Sequence, residues 1–174
     1  MAVDTFIAYV GVYDSAADAE ADYEAIKDLH TELGLLDAYD AAVIVRHDDG
    51  KVKITKKHET PTRVGGVLGG GVGLATGLVV ALFPFAGIGA AALIGTAGGA
   101  LVGSLAGHAA AGMSRHDLKE LGESLDEGQA GLIVVGVSDV GARVEQAMKR
   151  ARKVQEKQMK ADTKAIESDA SSAT

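Results

Sequence analysis

The sequence predicts an α+β domain: a ferredoxin-like split βαβ sheet with a Gly-rich helical hairpin inserted after the third strand and an extra C-terminal helix. Three observations predict it. Short β-branched and aromatic runs alternate with segments of helical periodicity at both ends of the chain. The 51 residues from Val64 to Ser114 contain no Asp, Glu, Lys or Arg, and hold 15 of the 23 glycines. Within that stretch small residues recur every four positions around a single proline, Pro84. The predicted organisation is a discontinuous domain over 1–63 and 113–160, a glycine-zipper hairpin over 64–112 and a flexible tail over 161–174.

Residues 5–13 read as a strand that is apolar on both faces. Ser15 then offers an N-cap, with Asp18 three residues on, and Ala19, Tyr23, Ile26, His30 and Leu33 follow at helical spacing to a Gly34 stop. A hairpin comes next: Ala41–His47, a turn at Asp48, Asp49 and Gly50, and Lys51–Lys56. Beyond the insert, Ser114 is a second N-cap, with Asp117 at its N3 position. Leu118, Leu121 and Leu125 stripe a short helix that ends near Gly128, and Ala130–Val137 reads as a buried strand. Ser138 is predicted to cap a final helix carrying Val140, Val144, Ala147, Ala151 and Val154. A sheet with helices on one side leaves its other face bare, and here that face is apolar. A partner subunit is its expected cover, with the insert or the last helix folding back as the alternative.

The insert carries the most specific signal. Gly65, Gly69, Gly73 and Gly77 form one row, and after Phe83, Pro84 and Phe85 a second runs through Gly87, Ala91, Gly95, Gly99, Gly103 and Gly107. Spacing of four aligns residues on one helix face, where missing side chains let two backbones approach closely. Each Gly costs about 1 kcal/mol against Ala in a helix interior. The first arm, with seven glycines, therefore needs tight packing or a bilayer to be helical. Its 19 residues and the 26 of the second arm would each cross a hydrocarbon core of about 30 Å. Basic residues flank both ends, Lys51 to Arg63 before and Arg115 to Lys119 after, as expected for a hairpin entering from the cytoplasmic side. His108, beside the zipper near the base, is the candidate pH-sensitive group.

The frame, the glycine run from Gly65 to Gly73 and the run from Arg115 to Gly122 resemble a bacterial domain-of-unknown-function family. Its members are usually labelled predicted membrane proteins, some with a stress-response association. The resemblance spans about residues 3–155. It implies an architecture and a membrane setting, and brings no activity.

Most chemistry is excluded. With no Cys there are no disulfides or thiolate sites, and a net charge of −7 argues against nucleic acid as a partner. The GxGxxA stretch from Gly87 follows an aromatic turn and no strand, so it reads as helix packing and not a dinucleotide loop. His58 with Glu59 and His116 with Asp117 flank the insert and are better read as solvated residues at its base than as metal ligands. The carboxylates Asp18, Glu20, Asp22, Glu24, Asp28 and Glu32 read as a solvated helix face. The basic run from Lys149 to Lys160 is either a solvated helix exterior or an attractor of anionic lipid. No leader peptide is recognisable at Met1–Asp4. The expectation is a non-enzymatic protein without cofactor or metal that self-associates and holds membrane lipid at the cytoplasmic face of the inner membrane. It would pair as a dimer through the sheet and as a larger species through the hairpin. The alternative is a soluble, cytoplasmic homo-oligomer that buries the hairpin between subunits.

Overall fold

The computed structural model describes residues 4–35, 39–48, 52–58, 75, 78–79, 113–126, 128–136 and 141–161. Chain order is β1 (Asp4–Tyr13), α1 (Ala16–Glu32), β2 (Tyr39–Arg46), β3 (Val52–His58), α2 (Arg115–Asp126), β4 (Ala130–Gly136), α3 (Gly141–Ala147) and β5 (Lys153–Ala161). Among the described residues the strands form one five-stranded sheet in the order β3-β2-β4-β1-β5, every neighbouring pair antiparallel. The α+β class is therefore as the sequence predicts. β4 lies between the two strands that α1 connects, and β1 between the two that α3 connects.

The caps form where local chemistry puts them. Ser15, extended at φ −141° and ψ 151°, accepts the Asp18 N–H at 3.2 Å while its hydroxyl donates to the Asp18 carboxylate at 2.8 Å. Ser114 and Asp117 repeat this arrangement at the start of α2, at 3.0 and 2.7 Å. At the end of α1, Gly34 takes a positive φ of 66°. Its N–H then reaches the Thr31 carbonyl, and the Leu35 N–H reaches that of His30, so the last carbonyls of the helix are satisfied.

The C-terminal helix is shorter than its periodicity predicts. It ends at Ala147, and the chain then forms β5, which pairs with β1 from Asp4↔Ala161 to Val12↔Lys153. The reason is nonlocal. The backbone of β1 needs partners along its second edge, and a strand there meets that need, which a continued helix would not. Of the predicted tail, Ala161 closes β5 and residues 162–174 lie outside the described residues.

Both faces of the three central strands, β2, β4 and β1, are buried within the single chain. On one, Ile7, Tyr9, Tyr13, Val43, Leu132 and Val134 pack under Ala19, Tyr23 and Ile26 of α1, Val144 of α3, and Met148. On the other, Phe6, Ala8, Val10, Val12, Ala42, Ile44, Ile133 and Val135 are all 4% exposed or less. The sequence reading places a partner subunit over this second face, with the insert or the last helix folding back as the alternative; in the single chain these residues are already buried. α2 is part of that cover: a Cβ added to Gly131 of β4 would lie 2.5 Å from Leu125 Cδ2. The missing side chain lets the helix approach the strand. Ala75, Leu78 and Val79, in the predicted first arm, are helical and buried as well.

Candidate functional site

Strand register places both roots of the insert at one end of the sheet. His58, the last residue of β3, pairs with Ala41 near the start of β2, where Tyr39 pairs with Gly136 at the end of β4. α2 runs antiparallel to β5, since Lys157 bonds Asp117 early in the helix and Lys153 donates to Ser124 late in it. Arg115 therefore begins α2 at the same end as His58. The side chains of Lys57, Arg115 and His116 are exposed at this end.

The root on the β3 side is held by a three-ring stack. His30, in the last turn of α1 and 1% exposed, lies against Tyr39 with centroids 3.8 Å apart and planes 22° from parallel. His58 lies against Tyr39 as well, at 4.5 Å and 15°. His30 Nδ1–H donates to the Ile26 carbonyl at 2.7 Å. Burial pushes the His30 imidazole below its ordinary range, and the charge of His58 adds to the effect. Burial likewise raises the Tyr39 phenol. The stack was not legible in the sequence, although His30 sits on the apolar stripe of its helix.

The root on the α2 side is held by charge. Lys157 of β5 bridges Glu120 at 2.7 Å and Asp117 at 3.2 Å, and Gln155 donates to Glu120 at 3.1 Å. Bonds from the Ser114 hydroxyl and Lys157 lower the Asp117 carboxyl, and Lys157 lowers that of Glu120. On α1, Glu24 pairs with Lys56 of β3 at 2.6 Å, whose ammonium lies 5.8 Å from the centroid of the Tyr23 ring.

Two sequence readings are corrected here. Asp22 is no part of a solvated face: it is fully buried and accepts bonds from the Tyr13 hydroxyl, the Arg150 N–H and Arg150 Nη1. It stands three residues after Ala19 and four before Ile26, so helical spacing alone would have placed it inward. The basic run is no helix face. Arg150 is held by Asp22, Arg152 by Asp14 at 2.5 Å, and Lys157 by α2. Residues 149–153 also lie where β1 ends, at the opposite end of the sheet from the insert.

The predicted zipper and tip residues, Gly65, Gly69, Gly73, Gly77, Phe83, Pro84, Phe85, Gly87, Gly95, Gly99, Gly103 and Gly107, and His108 with them, lie outside the described residues. Among the described residues no helix is long and apolar enough to cross a membrane, and no cluster of three or more His, Cys, Asp or Glu side chains is placed to hold a metal ion. Residues 66–169 match the model of a family described as a protein of unknown function, DUF1269. Neither a curated protein nor a solved structure matches the chain. The matched stretch takes in nearly all of the insert together with α2, β4, α3 and β5.

Proposed function

We propose that this chain, which belongs to the DUF1269 family, is a non-enzymatic protein that attaches to a membrane from the cytoplasmic side through its insert and self-associates there. The supporting observation is the root geometry. His58 and Arg115, the described residues on either side of a 51-residue segment without Asp, Glu, Lys or Arg, lie at one end of the sheet, with Lys57, Arg115 and His116 exposed there. That is the charge placement of a hairpin with a cytoplasmic base. The sheet has no bare apolar face to offer a second copy, so self-association is assigned to the glycine rows. The frame around them reads as ferredoxin-like: β1-α1-β2 and β4-α3-β5 interleave, with β3, the insert and α2 added between β2 and β4.

A soluble homo-oligomer is the second reading, and one observation favours it. Ala75, Leu78 and Val79 share a helix face by their spacing and are already buried in a single chain. Sedimentation of a detergent-free lysate separates the two. Pelleting with membranes, reversed by detergent, supports attachment; a defined large species in the supernatant overturns it. Gly99→Leu with Gly103→Leu tests the zipper. Added apolar bulk should keep membrane affinity but abolish cross-linked oligomers, while Val102→Leu should leave them intact. An unchanged oligomer in the double variant removes the zipper from the account.

A further inference from the structure

We propose that His30, Tyr39 and His58 form a proton-sensitive latch, which fastens the root of the insert to α1 at neutral pH and loosens on mild acidification. The rings link three elements: the last turn of α1, the first residue of β2 and the last residue of β3, six residues before the insert. Holding His30 against Tyr39 therefore holds the end of β3 that leads towards the insert.

His30 already donates Nδ1–H to the Ile26 carbonyl at 2.7 Å, so an added proton goes to Nε2. That makes a cation of a ring 1% exposed to water, with a second imidazole across Tyr39. Among the described residues, the remaining ionisable groups around the stack do not supply a counter-charge to His30. On α1, Glu24 is paired with Lys56 of β3. Tyr23, Glu24 and Asp28 of α1 and Asp40 of β2 act on Tyr39, where they oppose its ionisation. β4, under α1, contains no ionisable side chain. A protonated His30 therefore gains by leaving the stack for water, and Tyr39 loses one of its two covers.

The sign follows from linkage. The folded state holds His30 neutral below the 6.5 at which the unfolded chain protonates it. The contribution is complete above 6.5 and is lost as the pH falls from there through the lower folded value. The use of the latch rests on the insert being the working part of the protein; its measurement does not, because lipid is left out.

The test is amide hydrogen exchange of the full chain without lipid at about pH 7.5 and about pH 5.5, corrected for intrinsic rates, beside an NMR titration of the histidine ring protons. Amides of residues 39–42 and 56–58 should lose up to about tenfold in protection on acidification, because the lower test pH lies about one unit below 6.5. His30 should titrate below 6.5, with the loss following its midpoint. His30→Phe keeps a stacking ring without a titrating proton and should abolish the loss. Equal protection at both pH values, a His30 that titrates at 6.5 or above, or a loss that persists in His30→Phe overturns the proposal. If His30→Phe does not fold, the wild-type titration and exchange decide it. Loss of membrane attachment in a sedimentation assay, with the latch titrating as stated, would overturn the functional reading and leave the latch standing.

Discussion

Asp22 and Arg150, 128 positions apart, are joined twice: the Arg150 N–H reaches one carboxylate oxygen at 2.8 Å and its Nη1 the other at 2.9 Å. With the Tyr13 hydroxyl at 3.1 Å, the pair ties α1, β1 and the turn before β5 together at the end of the sheet away from the insert. The carboxylate is fully buried, whereas the guanidinium side chain is 51% exposed.

That asymmetry sets the first prediction. Asp22→Ala leaves the Tyr13 hydroxyl and a backbone N–H without their acceptor, and should destabilise by about 2–3 kcal/mol. Arg150→Ala removes one half-exposed donor and keeps the backbone bond, so its cost should be about 1 kcal/mol. Urea unfolding of both variants checks the order; equal losses would mean that the guanidinium carries the whole contact.

Tyr9 and Tyr13 lie on one face of β1 and differ in their hydroxyls. Tyr13 donates to Asp22, while the buried Tyr9 hydroxyl has no hydrogen-bond partner among the described residues. Tyr9→Phe should be neutral or stabilising, and Tyr13→Phe should cost about 1–2 kcal/mol. Thermal melts of the two variants read this directly. Burial first, then the charges of Glu156 and Glu145, pushes the Tyr9 phenol up to about 12, so it should ionise only as the fold opens in alkali.

At Gly131, α2 packs close against the sheet. A Cβ there would stand 2.5 Å from Leu125 Cδ2 and 3.1 Å from Ile44 Cγ1. Gly131→Val should destabilise by about 1–3 kcal/mol through overpacking. Leu125→Ala in the same chain should recover part of that loss, a coupling that a double-mutant cycle measures. Additive losses would show that α2 does not press on this strand.

The seam between α2 and β5 predicts an acid response. Asp117 and Glu120 are held below their ordinary values of 3.8 and 4.5 by hydrogen bonds and by Lys157. Depressed carboxyls contribute stability that is complete above those values and is lost as the pH falls through the folded ones. Lys157→Met should flatten this acid limb and reduce its sensitivity to salt. Urea midpoints measured across that range in low and high salt check both effects.

By itself the sequence determined what depends on neighbours in the chain. Ser15, Ser114 and Gly34 were legible because caps and stops are contacts over three to five residues, and local composition decides them. β1 and β4 were legible because a strand buried on both faces must be apolar throughout. Only the tertiary structure decided β5: Lys153–Ala161 is a strand because β1 has an edge to fill, although Ala147, Ala151 and Val154 continue a helical spacing. It also decided the cover of the second face, the meeting of Asp22 with Arg150 and the stacking of His30 and His58 on Tyr39. Each depends on residues distant in sequence whose juxtaposition is set by strand order, and no local propensity encodes that order.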